Sequence, residues 1–162
     1  MRYRWLVAGA AALAAAGVWS AAKGQKPEPG RGAREENAAL IRHGDYLVNR
    51  VVLCGDCHTP LDDRGRPDAS RRLQGGPLPI RPKKETEGWA DRAPDITRSG
   101  LAGKWGEAGL TKFLMTGRDP EGEKAHPPMP AFRLNERDAR AITLYLKSLP
   151  GKKRGAGKEG GR

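Results

Sequence analysis

Apolar side chains recur at helical spacing in three parts of the chain. The first group, at positions i, i+4, i+7 and i+11, consists of Leu40, Gly44, Leu47 and Val51. The second lies within a predicted helix over 107–117 and consists of Leu110, Phe113 and Leu114. The third consists of Ile142, Leu146 and Leu149. Asn135 is a suitable N-cap for this last helix, and Pro150-Gly151 ends it. The pattern predicts an all-α domain with three or more helices.

Residues 59–106 show little periodicity and many turn-forming residues. An irregular stretch of this length normally argues against a compact domain. Large apolar side chains are also scarce, since the chain has two Phe and many of its apolar residues are Ala. A bound apolar group would resolve both difficulties, because the loops would pack on it instead of on one another.

The N-terminal segment 1–22 has the layout of an export signal. A positive start, MRYR, precedes an apolar run and a small-residue site at Ser20 and Ala22. The alternative is an uncleaved membrane anchor over residues 5–22, close to the shortest length that spans a bilayer. We favour cleavage because Ala and Gly drive insertion weakly. Either alternative places the rest of the chain outside the cytoplasm, in the periplasm or on the inner membrane.

The basic charge lies mainly outside the predicted domain. The formal charge is +11 for the whole chain, of which residues 35–150 contribute +2. Residues 23–34 and 151–162 carry most of the excess, and their Gly, Pro and charged residues predict a flexible linker and a disordered tail. A folded basic face is therefore missing, and we expect no nucleic-acid partner.

The two cysteines form one motif, Cys54-Gly-Asp-Cys57-His58. In a C-x-x-C-H motif the two thiols form thioethers with one porphyrin, and the imidazole binds its iron. A thioredoxin-like pair would need a βαβ context, whereas helical periodicity precedes this motif. A zinc site would need a second ligand pair, and a plain disulfide gives no role to His58. We therefore expect one covalent haem c.

The sixth iron ligand has several candidates. Met115 lies in the apolar face of the second predicted helix, where a Met usually fills a core. Met129 lies between two prolines, in a stiff extended segment that suits a weak thioether ligand. His126 is the rival, although a solvent-facing role is its simpler interpretation, and His43 lies close to the motif in sequence. We predict His58 and Met129 as the axial ligands.

These stretches resemble the class I cytochrome c family. Residues 44–60 are similar to its first helix and haem motif, with Gly44, Tyr46 and Leu47 as contacts to the last helix. Residues 129–132 and 134–150 are similar to its axial-methionine loop and last helix, with Tyr145 as the aromatic partner. The resemblance implies a class I fold, in which helices and long loops wrap around one haem.

A finer resemblance is to haem domains of cytochrome subunits that serve periplasmic alcohol and sugar dehydrogenases. It rests on residues 73–78, residues 94–97 and Trp105. It implies that Trp105 donates a hydrogen bond to a haem propionate, and that the Pro77 carbonyl accepts one from His58. Residues 80–93 are more charged than their equivalent in that family.

The expected function is therefore electron transfer and not catalysis. Iron with two protein ligands has no position for a substrate. Its redox partners would be a dehydrogenase, a quinol-oxidising complex or a terminal oxidase. The alternative is a haem sensor or peroxidase-like protein, in which the sixth ligand is absent or displaceable.

Overall fold

The computed structural model describes residues 30–151, so the predicted export signal, most of the linker and almost all of the tail lie outside the described residues. Three helices are longer than one or two turns: α1 (Arg31–Tyr46), α4 (Gly106–Thr116) and α5 (Glu136–Ser148). Two short helices are α2 (Gly55–His58) and α3 (Leu101–Lys104). The helical prediction is confirmed, although α1 begins at Arg31, inside the segment predicted as linker.

Helices α1 and α5 cross closely because Gly44 has no side chain. A Cβ at this position would overlap the Ala141 carbonyl and lie 2.8 Å from Cβ of Tyr145. Asn49 donates a hydrogen bond to the Tyr145 hydroxyl at 3.1 Å, and His43 Nε2 lies 2.7 Å from the Asp138 carboxylate. The predicted contact between the first and last helices therefore exists, and polar pairs border it.

The predicted apolar stripe of the first helix ends early. Leu40, Gly44 and Leu47 are buried, whereas Val51 is 53% exposed. Tyr46, which the resemblance placed in the contact with the last helix, is 56% exposed. The exposure of Val51 follows from a π-helical turn over Leu47–Val51 that directly follows α1. The wider turn changes which residues face the core, so Val48 becomes fully buried and Val51 faces outwards.

Helix α5 begins as its sequence predicts. The Asn135 side chain accepts a hydrogen bond from the Asp138 backbone N–H at 2.9 Å. Its apolar face contributes Ile142 and Leu146 to the core, together with Leu110 and Leu114 of α4. The Arg140 guanidinium donates to the Glu107 carboxylate at 2.8 Å and ties these two helices together.

The long segment between α2 and α3 is mostly irregular, as predicted. It contains a 3-10 turn (Ala69–Arg71) and a two-stranded antiparallel ladder, β1 (Gly76–Pro77) with β2 (Arg92–Ala93). In this ladder Gly76 is paired with Ala93 and Pro77 with Arg92. The ladder brings the chain back towards α2, where β2 forms part of a cavity wall.

Candidate haem site

A largely apolar cavity of about 530 Å³ lies among α2, α4, α5 and the loops that join them. Its volume is within the range of cofactor and small-molecule sites. Its walls include Ile142 and Leu146 of α5 and Leu110 and Leu114 of α4. Five of the six predicted site residues line it: Cys54, Cys57, His58, Trp105 and Met129. Pro77 is the exception.

The motif occupies one turn of helix at the cavity wall. Cys54 precedes α2, and its carbonyl accepts a hydrogen bond from the His58 backbone N–H at 2.9 Å. No disulfide joins the two cysteines. Burial raises the pKa of the Cys54 thiol to about 11, so this thiol is protonated at neutral pH. Two thiols and an imidazole are thus presented to the cavity by five consecutive residues.

His58 is prepared to bind a metal ion through Nε2. The residue is 6% exposed, and its Nδ1 lies 2.9 Å from the Pro94 carbonyl oxygen. A carbonyl only accepts, so Nδ1 carries the hydrogen and Nε2 keeps its lone pair. Burial lowers the pKa of His58, which favours the neutral ring that a metal ion requires.

The predicted hydrogen bond from His58 to Pro77 is wrong, because Pro94 is the acceptor. Pro77 is exposed on β1, opposite Arg92. The loop before β1 reaches only the backbone of His58, where the Gly75 N–H donates to the His58 carbonyl at 2.7 Å. Strand β2 then carries Pro94 to the ring, so the neighbouring segment of the same ladder supplies the acceptor.

Of the four candidates for the sixth ligand, Met129 and His126 line the cavity. Met115 instead packs against the hydrophobic core, and the Nε2 atom of His43 is occupied by Asp138. Met129 is half-buried and lies in a turn, not in the extended segment expected from its flanking prolines, and its N–H donates to the His126 carbonyl at 3.0 Å. The structure thus narrows the choice to two residues of one turn.

The indole of Trp105 has an unpartnered donor. Its ring packs on Phe113 with centroids 5.1 Å apart, and both residues line the cavity. Within residues 30–151, the buried side-chain polar atoms that lack a hydrogen-bond partner are Nε1 of Trp105 and Nε1 of Trp89. A buried donor normally has an acceptor. A haem carboxylate would be an acceptor for Trp105, so this wall fits the predicted group.

Two features of the site lie in the segment 80–93, whose role the sequence left in doubt. Arg92, on β2, lines the cavity and adds a cation to its wall. Near Gly88 the segment contacts the loop that carries Met129: the His126 Nδ1 lies 3.1 Å from the Gly88 carbonyl oxygen, and the Ala90 N–H donates to the Pro127 carbonyl at 2.7 Å. In the sequence, only the high charge of this segment pointed to a role for Arg92 at the site.

The alternative of a zinc site gains no support from the geometry. In the part of the chain from 30 to 151, no group of three or more His, Cys, Asp or Glu side chains is arranged to hold a metal ion. The residues that line the cavity instead include two thiols with an adjacent imidazole, the Met129 thioether and the His126 imidazole. These groups suit a haem, because its porphyrin already supplies four nitrogen ligands to the iron and the protein needs to supply only the remaining ones.

Several proteins that are similar to this chain are named as cytochromes c or as cytochrome subunits. A diheme cytochrome c-type protein of Cereibacter sphaeroides is 36% identical over 112 residues, which are 66% of this chain and 34% of that protein. The fructose dehydrogenase cytochrome subunit of Gluconobacter japonicus is 34% identical over 117 residues, 67% of this chain and 22% of the subunit. The chain belongs to the cytochrome c family.

A third member of this family supports the same assignment. The gluconate 2-dehydrogenase cytochrome c subunit of Pantoea cypripedii is 34% identical over 135 residues, 74% of this chain and 28% of the subunit. No family model matches the chain. This cytochrome c spans about a fifth to a third of the length of these relatives.

The predicted membrane anchor over residues 5–22 lies outside the described residues. Among residues 30–151, no helix combines the length and the apolar character that crossing a bilayer requires.

Proposed function

We propose that this cytochrome c is a one-electron carrier with one covalent haem c, whose iron is bound by His58 and Met129. The observation that carries the proposal is the shared cavity, which is lined by both cysteines and the histidine of the attachment motif and by Met129. The sequence contains one such motif and two cysteines, which supports a single haem in this chain.

Each residue of the site has a defined task in this proposal. Cys54 and Cys57 fix the porphyrin through thioethers, and His58 binds the iron through the lone pair on Nε2. The Pro94 carbonyl orients the imidazole and increases its basicity through the 2.9 Å hydrogen bond to Nδ1. Met129 supplies the sixth ligand, and Trp105 donates to a haem carboxylate.

Haem iron with an imidazole and a thioether ligand exchanges single electrons at a raised potential and leaves no open position. The chain's own contribution is to hold both ligands so that little rearrangement accompanies the change of charge. The apolar walls from α4 and α5 would shield a bound haem from water. These features favour electron transfer over catalysis.

The partners we propose are redox proteins outside the cytoplasm. Several relatives are named as cytochrome subunits of fructose, gluconate and alcohol dehydrogenases. A dehydrogenase is therefore the first partner to test as the electron donor, with a quinol-oxidising complex as the alternative donor and a terminal oxidase as the acceptor. The export predicted from residues 1–22 is consistent with such partners.

The visible spectrum of the mature protein tests the proposal. We expect a covalent low-spin haem with the weak Met-to-iron charge-transfer band. Met129→Ala should abolish that band and lower the potential while haem stays attached. Met115→Ala is the matched control, because Met115 packs against the core and does not line the cavity, and it should keep the band. A high-spin spectrum of the unaltered protein would favour the sensor or peroxidase-like alternative.

A further inference from the structure

His126 shares the local arrangement of His58. Each histidine is among the residues that line the cavity, and each places Nδ1 within hydrogen-bonding distance of a backbone carbonyl. The distances are 2.9 Å from His58 to Pro94 and 3.1 Å from His126 to Gly88. Because a carbonyl only accepts, both rings carry their hydrogen on Nδ1 when neutral and leave the Nε2 lone pair available. Histidines that bind metals almost always have such a partner.

The turn that contains Met129 brings His126 close to it. The Met129 N–H donates to the His126 carbonyl at 3.0 Å. Residues joined in this way lie at the two ends of a four-residue turn, with Cα atoms within about 7 Å of each other. The two candidate ligands therefore occupy one place in the fold, and exchange between them needs only local movement.

Hydrogen bonds from the segment 86–90 also restrain the position of His126. The Ala90 N–H donates to the Pro127 carbonyl at 2.7 Å, directly after His126 in sequence. Gly88 adopts a positive φ of 72°, which turns the chain near the imidazole. These contacts restrain His126, which is exposed and is among the residues that line the cavity.

We propose that His126 is a reserve iron ligand, which binds the haem iron through Nε2 when the thioether of Met129 is absent. The inference rests on the proposed ligation by His58 and Met129. For the neutral ring, the exchange replaces a sulfur donor by a nitrogen donor and releases no proton, because Nδ1 keeps its hydrogen. It keeps the iron closed to small molecules and lowers its potential, since methionine ligation raises the potential.

The test compares three variants of the full chain by visible and electron paramagnetic resonance spectroscopy. Met129→Ala should remain low-spin, with the spectrum of two histidine ligands. Met129→Ala combined with His126→Ala should become high-spin. Met129→Ala combined with Lys124→Ala is the matched control and should remain low-spin, because Lys124 also lines the cavity and is the nearby amine that competes with His126.

Added imidazole distinguishes an open site from a misfolded one. It should return the double variant without His126 to the low-spin state. It should also bind that variant about tenfold or more tightly than Met129→Ala, since the reserve ligand leaves the position open in only a fraction of molecules.

Three outcomes would overturn the proposal. A high-spin Met129→Ala variant would mean that His126 does not reach the iron. A low-spin double variant without His126 would assign the reserve role to another donor. If the unaltered protein lacks the methionine band and His126→Ala alone makes it high-spin, His126 is the primary ligand and the ligation in the proposed function has failed as well. Either of the first two outcomes would leave the proposed ligation by His58 and Met129 intact.

Discussion

The Nδ1 atom of His58 lies 2.9 Å from the carbonyl oxygen of Pro94, across 36 residues of chain. Gly75 makes this approach possible. A Cβ on Gly75 would lie 2.5 Å from the Ala93 carbonyl oxygen and from the Pro94 carbonyl carbon. The loop before β1 and the segment after β2 therefore meet at a position that only a glycine fits.

Gly75→Ala should displace Pro94 and weaken the hold on His58. We expect reduced covalent haem content and a lower stability of the domain, by about 2 kcal/mol or more, from overpacking against backbone atoms. Haem content is measured after denaturing electrophoresis and stability by denaturant unfolding. Gly65→Ala is the matched control, since Gly65 has nearly the same φ, 73°, with no atom within 4 Å of the added Cβ. Equal effects would mean that backbone strain alone is responsible.

Gly44→Ala should separate α1 from α5. The added methyl would overlap the Ala141 carbonyl, which a rigid helix backbone cannot relieve, so we expect a loss of about 3 kcal/mol or failure to fold. Gly32 lies in the same helix with no atom within 4 Å of an added Cβ. Gly32→Ala should leave stability unchanged or raise it by up to about 1 kcal/mol. Denaturant unfolding compares the two, and a stable Gly44→Ala protein contradicts the close crossing.

Trp105→Phe removes the unpartnered indole donor and keeps an aromatic ring against Phe113. If Nε1 donates to a haem carboxylate, its loss should raise the pKa of that carboxylate, because the charged form loses a hydrogen bond. NMR titration of protein with carbon-13 in the haem carboxylates measures this directly. Trp89→Phe deletes the other unpartnered indole donor, which does not belong to the cavity wall, and should leave the titration unchanged.

Arg92→Gln tests whether the cation on β2 acts on the same carboxylates. We expect the haem carboxylate pKa to rise and the reduction potential to fall, because a positive charge beside the haem stabilises the carboxylate and the reduced iron. Arg81→Gln removes an equal charge from the same segment, at an exposed residue paired with Asp91 and outside the cavity wall. Equal shifts in the two variants would mean that the effect of Arg92 comes from general surface charge and not from its position in the cavity wall.

The longer helices and the attachment motif were predictable because local patterns determine them. Asn135 caps α5 through its own side chain, and the spacing of Ile142 and Leu146 places both in the core. The spacing of Cys54, Cys57 and His58 carries its chemistry within five residues. None of these features depends on where a distant segment of the chain lies.

The errors arose where tertiary contacts decide the outcome. Pro77 and Pro94 lie near opposite ends of one short ladder, and nothing local distinguishes which carbonyl meets His58. Val51 fits a regular helical stripe, but the π-helical turn moves it to the surface. The contact between Gly88 and His126 spans 38 residues through a charged segment without periodicity, so no sequence pattern predicted it.

Ile142 and Leu146 face two neighbours at once, the hydrophobic core and the cavity wall. Haem attachment and helix packing therefore complete the same interior. Without haem, part of α5 would be exposed to water or the domain would collapse into the cavity. Proteases cleave such loosely packed chains more readily. The protein with its haem attached should therefore resist proteolysis better than the apoprotein.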